Sequence, residues 1–254
     1  MNDDLLSVHG LGRRFGGVVA VADASFGVGR TSIVGLIGPN GAGKSTVLSM
    51  IAGSLRPTSG TISFDGRELS GTAPHTAARR GIIRTFQTPS EFARLTTLEN
   101  LLAGARATRG FTVGGALLGR RWWRSDEDRL VERAIGLLRR FDMLPMANEY
   151  AGKLSSGQKR LLELMRALMA EPKLLLLDEP FAGVNPTLSR RIEGYLARLC
   201  AEDGITMLMV EHEMGAIERI CHSVVVMAQG RVISRGTMAE IRGDKKVLDA
   251  YLIG

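Results

Sequence analysis

Apolar and polar residues follow each other in short segments along the first part of the chain. Segments rich in Val, Ile and Phe, with glycine at the breaks, predict strands over Leu5–Val8, Val18–Phe26 and Ile33–Ile37. The segment Thr61–Phe64 ends at an Asp-Gly pair and also predicts a strand. We therefore expect a strand-rich N-terminal region.

The last third of the chain has uniformly apolar segments. Strands are predicted over Leu174–Leu177, Ile205–Val210 and Val224–Met227, with helices over about Pro186–Cys200 and Met214–Cys221 between them. Strands without a polar face are typical of a parallel sheet that helices cover on both sides. This pattern predicts an α/β fold.

Helical periodicity dominates the middle of the chain. Between about Thr96 and Phe141, apolar residues recur at three- and four-residue spacing, with Arg and Glu between them. A second helix is predicted over about Ser156–Ala170 and stops before a proline. We expect a helical subdomain at 87–159, inserted between two parts of a core, 1–86 and 160–254.

A glycine-rich segment, GPNGAGKST, follows the predicted strand Ile33–Ile37 and leads into a predicted helix over Lys44–Ala52. It matches the phosphate-binding pattern G-x-x-x-x-G-K-[ST], in which glycine lets the backbone curl around a phosphate and the helix N-terminus adds positive charge. Lys44 is placed to reach the β- and γ-phosphates, and Ser45 to ligate Mg²⁺. The predicted nucleotide-binding residues of this loop are Gly38, Pro39, Asn40, Gly41, Ala42, Gly43, Lys44, Ser45 and Thr46. The loop alone leaves a kinase, a GTPase and an ATP-driven motor open.

Two adjacent carboxylates end the predicted strand Leu174–Leu177. Asp178 lies where α/β sheets bind ligands, so it can hold Mg²⁺ directly or through water. Successive strand residues point to opposite sides, so Glu179 can act as general base on an attacking water. A surface turn at the end of a core strand could have the same sequence pattern, but the presence of the phosphate loop favours the catalytic interpretation.

Three further positions suggest contacts with the same triphosphate. The segment Leu154–Gln158 (LSSGQ) precedes a predicted helix, where serine and glycine can cap the helix and also bind an anion. Gln87 follows a strand-like segment at the entry to the helical part. His212 follows the strand Ile205–Val210, and its place at the ligand-binding edge of the sheet favours a γ-phosphate contact over an ordinary surface histidine.

Composition narrows the class of protein. The 254 residues are 44% hydrophobic and 23% charged, which fits a globular domain, and 5% aromatic residues argue against a base-stacking platform for single-stranded nucleic acid. Cys200 and Cys221 are too few for a disulfide framework, so we expect reduced thiols. The N-terminus lacks the pattern of a signal peptide, and no apolar segment reaches the roughly 18–20 residues of a membrane span.

Positive charge concentrates in the middle of the chain. The formal net charge is +7, and many arginines lie between Arg106 and Arg140, beside Trp122 and Trp123. Two interpretations stay open for this stretch. It is either a solvated helical face with tryptophan in the core, or a surface that contacts lipid head groups or a membrane partner.

The order and spacing of these motifs resemble those of the ABC ATPases over nearly the whole chain. The matching segments are a Walker A motif (Gly38–Thr46), a Q-loop (Gln87), a signature motif (Leu154–Gln158), a Walker B motif with its glutamate (Leu174–Glu179), a D-loop (Ala182–Asn185) and an H-loop (His212). The resemblance implies an α/β P-loop NTPase core with a mainly parallel sheet, an N-terminal antiparallel β subdomain and an inserted α-helical subdomain.

The resemblance also implies roles for individual residues. ATP would lie between Gly38–Thr46 of one protomer and the signature of another, in a head-to-tail dimer, and Phe15 matches the aromatic position that stacks on adenine. The implied catalytic residues are Glu179, His212, Gln87 and Lys44. The implied Mg²⁺ ligands are Ser45, Gln87 and Asp178. The implied nucleotide contacts of the signature are Ser155, Ser156, Gly157 and Gln158.

Four segments are similar to the ATP-binding subunits of branched-chain amino-acid importers. They are Arg84–Gly104, PFAGVNP at Pro180–Pro186, VEHEM at Val210–Met214 and AYLIG at Ala250–Gly254. This similarity implies an ATPase that powers import of branched-chain or hydrophobic amino acids. Its partners would be hydrophobic permease subunits, a second ATPase subunit (the same chain or a paralogue) and, indirectly, a solute-binding protein, with no nucleic acid. Its place would be peripheral, on the cytoplasmic face of the inner membrane.

Related functions remain as alternatives. They are urea or amide import, lipopolysaccharide export, a soluble ABC ATPase of iron–sulfur assembly, and a regulatory module without turnover. The chain departs from the usual family pattern at Ser156, where the signature has glycine, at Asn185, where many D-loops have Asp, and at Phe15, where Tyr is commoner. None of these changes removes a catalytic group, so we expect hydrolysis.

Overall fold

The computed structural model describes residues 4–85, 91–105 and 124–253. These residues fall into two compact units. The first comprises Met1–Gln87, Pro172–Ala182 and Ser189–Gly254, and the second comprises Thr88–Glu171 and Gly183–Leu188. Gln87 and the Trp122–Trp123 pair lie outside the described residues.

The strands of the first unit form one sheet. In chain order they are β1 Asp4–Phe15, β2 Val18–Gly29, β3 Ile33–Ile37, β4 Ser59–Phe64, β5 Arg67–Glu68, β6 Ile82–Arg84, β7 Leu174–Asp178, β8 Thr206–Val210, β9 Ser223–Ala228 and β10 Arg231–Gly236. Across the sheet the order is β5-β4-β1-β2-β10-β9-β3-β8-β7-β6. Neighbours in the sheet are therefore mostly distant in sequence.

The sheet has a parallel and an antiparallel part. The strands β3, β6, β7, β8 and β9 pair in parallel. The strands β1, β2, β4 and β5 form antiparallel pairs, and β10 pairs antiparallel with β9. The two parts meet where Asp23 of β2 pairs in parallel with Arg231 of β10. This mixed sheet confirms the predicted fold class.

Helices connect the strands. In chain order they are α1 Lys44–Ile51, α2 Pro74–Arg80, α3 Thr97–Ala103, α4 Arg124–Arg140, α5 Ser156–Met169, α6 Pro186–Asp203, α7 Met214–Ile220, α8 Met238–Gly243 and α9 Lys245–Ile253, with short 3₁₀ turns at Leu144–Met146 and Ala151–Lys153. Among the helices of the described ranges, none combines the length and apolar character needed to cross a bilayer.

Every residue of β3, β7 and β8 is buried, which explains their uninterrupted apolar sequences. These strands are neighbours and run in the same direction, with Leu36 and Asp178 both paired to Val210. Their carboxyl ends therefore meet at one edge of the sheet. The phosphate loop, the Asp178–Glu179 pair and the His212 loop all leave the sheet at this edge.

The second unit is helical. Thr96 begins α3 with a capping box that Glu99 completes, and α3 packs against α4 and α5. The unit extends to Glu171, beyond the predicted boundary at residue 159, because α5 is one continuous helix that packs within this unit.

Several elements have no counterpart in the prediction. The strand β10 carries no fully buried residue, so its sequence RVISRG shows no apolar run. The helix α2 is seven residues long and buries only Ala77, which leaves little periodicity to detect. Elements that bury few side chains leave a weak signal in the sequence.

Candidate nucleotide-binding and catalytic site

The phosphate loop connects β3 to α1 in a conformation that requires glycine at two close contacts. Gly38 has φ +148, and a Cβ there would lie 2.0 Å from the carbonyl oxygen of Met227. Gly43 has φ +99, and a Cβ there would lie 2.6 Å from the carbonyl oxygen of Ala20. The loop is thus pressed against β9 on one side and β2 on the other, and a side chain at either position would displace it.

Lys44 lies inside the curve of this loop. Its residue is 6% exposed, and its Nζ donates hydrogen bonds to the carbonyl oxygens of Gly38 at 2.8 Å and Pro39 at 2.9 Å. Burial lowers the pKa of Lys44, and the negative charges of Glu179 and Asp178 oppose that shift. The ammonium group is held where the loop can surround a phosphate.

The N-terminus of α1 is open to an anion. Its N-cap, Gly43, makes no side-chain cap, and the first turn contains no acidic residue. Ser45 is exposed in that first turn, whereas Lys44 is buried. A helix N-terminus that no side chain caps offers backbone N–H groups and partial positive charge to a phosphate.

Asp178 ends β7 as a buried carboxylate, and Arg84 of the neighbouring strand β6 holds it. Arg84 Nη2 donates to Asp178 Oδ2 at 2.7 Å, and Arg84 Nη1 donates to Ser49 Oγ at 2.8 Å. The Ser49 hydroxyl in turn donates to the carbonyl oxygen of Ser45 at 2.7 Å. Arg84 therefore connects two of the three positions predicted to hold Mg²⁺, Asp178 and Ser45, a role that sequence analysis missed because 94 residues separate Arg84 from Asp178.

Glu179 and His212 face each other across the carboxyl ends of β7 and β8. Glu179 Oε1 lies 3.4 Å from His212 Nε2. Glu179 has φ +50, a left-handed conformation that is uncommon for a residue with a side chain and that clusters at functional sites. The structure thus brings together the predicted general base and the predicted γ-phosphate contact.

Sequence analysis also missed Glu211, which precedes His212. Glu211 is 4% exposed, and its carboxylate accepts hydrogen bonds from backbone N–H groups of the Glu179 turn and of its own loop. A charged residue directly after a strand that ends in four buried apolar residues was the available signal, because buried carboxylates are rare unless they have partners.

Phe15 ends β1 at the tip of the hairpin that β1 forms with β2. The Phe15 residue is 46% exposed, so its ring is accessible from solvent. The guanidinium of Arg13 lies over its ring, 4.6 Å from the centroid. The same hairpin touches the phosphate loop through Ala20. An exposed ring on this hairpin can stack on a planar base.

The signature segment begins α5 in the second unit. Ser155 is the N-cap, and Ser155 and Gln158 form a capping box, with Gln158 N–H donating to Ser155 Oγ at 3.3 Å and Ser155 N–H donating to Gln158 Oε1 at 2.9 Å. At Gly157 a Cβ would lie 2.2 Å from Leu188 Cδ2. The helix cap is thus present, and the nucleotide contact of this segment stays a prediction.

The donor set at the sheet edge fits Mg²⁺ bound to a triphosphate. Asp178 supplies a carboxylate and Ser45 an exposed hydroxyl, and Mg²⁺ usually takes one or two carboxylates together with phosphate oxygens and water. Within residues 4–85, 91–105 and 124–253, no group of three or more His, Cys, Asp or Glu side chains could hold a metal by itself. The third predicted ligand, Gln87, lies outside the described residues.

Comparison with known proteins identifies the family. A family model described as "ABC transporter" matches residues 21–182. The chain belongs to the ABC transporter family. The family membership inferred from the motifs is therefore confirmed.

Members of this family resemble the chain over almost its whole length. The high-affinity branched-chain amino acid transport ATP-binding protein BraF of Pseudomonas aeruginosa is 38% identical over 252 residues, covering 99% of each chain. The corresponding protein LivG of Escherichia coli is 37% identical over 252 residues, again covering 99% of each. A solved ATP-binding cassette of an ABC transporter in its ADP conformation has a TM-score of 0.85 and 33% identity, covering 98% of each chain.

Proposed function

We propose that this chain is the ATP-binding and ATP-hydrolysing subunit that powers an importer of branched-chain amino acids. The observation that carries the proposal is the meeting of Lys44, Asp178 and the Glu179–His212 pair at the carboxyl ends of three adjacent buried strands. A cationic phosphate loop, a metal-binding carboxylate and a base are the groups that hydrolysis of a triphosphate needs.

The first unit binds ATP through contacts along the whole nucleotide. The ring of Phe15 stacks on adenine, and the loop Gly38–Gly43 surrounds the phosphates with backbone N–H groups. Lys44 exchanges its two carbonyl partners for oxygens of the β- and γ-phosphates. Burial lowers the pKa of Lys44 because it disfavours the charged form, and a phosphate anion beside Nζ would stabilise that charge.

Hydrolysis uses the groups at the ends of β7 and β8. Glu179 takes a proton from the attacking water, a step typically worth ~10²–10⁴ in rate. His212, within 3.4 Å of Glu179, orients that carboxylate and contacts the γ-phosphate. Ser45, Asp178 and Gln87 would hold Mg²⁺, which would neutralise negative charge on the phosphates when it is bound.

A second copy or a paralogue completes the site in our proposal. The signature segment Ser155–Gln158 of one protomer faces the triphosphate bound to the other, because the N-terminus of α5 offers partial positive charge to an anion. ATP then joins the two protomers and its hydrolysis releases them. The helical second unit, Thr88–Glu171 with Gly183–Leu188, transmits this movement to the permease.

The transported substrate follows from the relatives rather than from the site. BraF and LivG are branched-chain amino acid transport proteins by name, and both match the chain over 99% of its length. We therefore assign hydrophobic permease subunits as partners, a solute-binding protein as an indirect partner, and a peripheral place on the cytoplasmic face of the membrane.

Two experiments test the proposal. In the first, Glu179→Gln is compared with the wild-type chain and with Glu68→Gln, a control at an exposed position on β5. We expect Glu179→Gln to bind MgATP, to elute as a dimer with ATP on gel filtration and to lose hydrolysis, while Glu68→Gln keeps the wild-type rate. A Glu179→Gln chain that still turns over ATP would refute the assignment of the base.

The second experiment places the chain with its permease in proteoliposomes. We expect uptake of radiolabelled leucine that needs internal ATP and the solute-binding protein, and that stops with Glu179→Gln. Uptake of leucine without ATP, or ATP hydrolysis that no amino acid stimulates, would refute the importer assignment while leaving the ATPase intact.

A further inference from the structure

Glu211 lies between the loops that carry Glu179 and His212. Its Oε1 accepts a hydrogen bond from the Phe181 N–H at 3.0 Å. Its Oε2 accepts from the His212 N–H at 2.7 Å and from the Glu213 N–H at 3.1 Å. One buried side chain therefore joins the turn after β7 to the loop after β8.

The turn after β7 depends on this connection. Glu179 N–H donates to the carbonyl oxygen of Val210 at 2.9 Å, and Phe181 N–H, two residues later, donates to Glu211. The two acceptors are Val210, the last residue of β8, and Glu211, the first residue of the loop that follows. They hold the backbone on either side of the left-handed conformation at Glu179, which would otherwise relax toward a commoner one.

We infer that Glu211 is a positioning residue for ATP hydrolysis, which sets the placement of Glu179 relative to His212 without touching the nucleotide itself. The inference rests on the proposed function of those two residues. Since Glu211 fixes the backbone N–H of His212 with one oxygen and the Glu179 turn with the other, a change at Glu211 shifts both groups at once.

Position 211 needs a carboxylate, because one oxygen must accept a hydrogen bond from the turn after β7 while the other accepts from the loop after β8. Both oxygens of an ionised carboxylate accept hydrogen bonds, whereas an amide has one accepting oxygen and a donating nitrogen. In Glu211→Gln, the amide N–H₂ would face either the Phe181 N–H or the N–H groups of His212 and Glu213. One connection is therefore lost with glutamine, and all are lost with alanine.

The test compares Glu211→Gln and Glu211→Ala with Glu213→Gln. The control removes the same charge two residues away, from a side chain that is 51% exposed, and keeps the N–H groups that Glu211 binds. Steady-state kcat is measured beside the Kd of a fluorescent ATP analogue and the thermal unfolding midpoint. We expect kcat to fall about tenfold with glutamine and about 10²-fold with alanine, because small misplacements of catalytic groups cost this much.

The pattern of effects separates positioning from mere stabilisation. If Glu211 acts by positioning, the nucleotide Kd of both Glu211 variants stays within about twofold of wild type. The control Glu213→Gln then keeps the wild-type kcat and Kd. A kcat unchanged in Glu211→Gln, or a loss of kcat matched by an equal loss of affinity, would overturn the inference. Glu179→Gln is assayed in parallel, because residual turnover in that variant would overturn the proposed function instead.

Amide hydrogen exchange tests the same contacts in the wild-type chain, where folding is not in question. If Glu211 binds the N–H groups of Phe181 and His212, both amides exchange slowly compared with those of Asn40 and Gly41, which lie in an exposed loop. Exchange of Phe181 and His212 as fast as in that loop would mean that the connections do not exist in solution, and would overturn the inference.

Discussion

The ion pair between Glu193 of α6 and Arg219 of α7 provides a sharp test of what holds the helix after the His212 loop. Arg219 Nε donates to Glu193 Oε2 at 2.7 Å, and Arg219 Nη2 donates to Glu193 Oε1 at 2.6 Å. This two-bond geometry is the strongest form of an ion pair. The Glu193 side chain is 6% exposed and that of Arg219 is 31% exposed.

Arg219→Met should destabilise the first unit by about 2–3 kcal/mol. Breaking a buried ion pair typically costs ~3–5 kcal/mol, because the remaining charge stays buried without its partner, whereas exposed pairs contribute ~1 kcal/mol or less. The intermediate value reflects the partial exposure of Arg219. It also reflects Arg190 Nη1, which lies 3.9 Å from Glu193 Oε2 and would still attract the carboxylate.

The assay is unfolding in urea followed by far-ultraviolet circular dichroism, with thermal melts beside it. A loss of this size corresponds to a fall of roughly 4–12 °C in the midpoint for a chain of this length. Combining Arg219→Met with Glu193→Met should restore part of the loss, since no charge then remains buried. A single variant within about 0.5 kcal/mol of wild type, or a double variant that simply adds the two single losses, would refute the reasoning.

Three further predictions concern other parts of the first unit. Gly43→Ala should abolish binding of a fluorescent ATP analogue while the fold survives, because its Cβ would lie 2.6 Å from a carbonyl oxygen of β2; normal affinity would contradict this. Hydrogen bonds from Arg30 and Lys173 lower the pKa of Asp65 to about 2. The ionised Asp65 therefore contributes its full stabilisation of the folded state above the unfolded-state pKa of ~3.9, and this contribution is lost as the pH falls toward 2. Because these side chains are partly exposed, this contribution is below ~1 kcal/mol. When the free energy of unfolding is measured as a function of pH, its change between pH 4 and pH 2 should be smaller by that amount in Asp65→Asn than in the wild-type chain. Burial raises the pKa of the Cys221 thiol to about 12, so Ellman's reagent at pH 8 should modify it on the order of 10³ times more slowly than in urea; equal rates would show that the thiol is accessible.

Local sequence predicted the phosphate loop and the elements around it. The strand Ile33–Ile37 has the predicted bounds, and α1 ends one residue before the predicted Ala52. These elements were predictable because the glycines, lysine and serine of the loop contact residues close to them in sequence. The hydrogen bonds of Lys44 Nζ to the loop carbonyl oxygens are an example. Local structure that depends on contacts between residues close in sequence can be predicted from a sequence motif.

Contacts between distant strands could not be predicted in the same way. The Arg84–Asp178 bond spans 94 residues, and the bond from Phe181 to Glu211 spans 30. Both depend on which strand lies beside which, and apolar patterns do not specify the order in a parallel sheet whose strands are all buried. The sequence therefore predicted Asp178, Glu179 and His212, but not the residues that hold them.

At Glu179, the left-handed backbone lowers the stability of the fold, while the proposed role of the side chain in ATP hydrolysis requires a residue other than glycine. Glycine adopts φ +50 at little cost, whereas a residue with a side chain pays on the order of 1–2 kcal/mol. A change to glycine would therefore relieve strain and remove the proposed base in one step. A laboratory evolution scheme that selects only for survival at high temperature should enrich inactive chains at this position. Engineering a heat-resistant form of this protein thus requires selection for ATP turnover in every round.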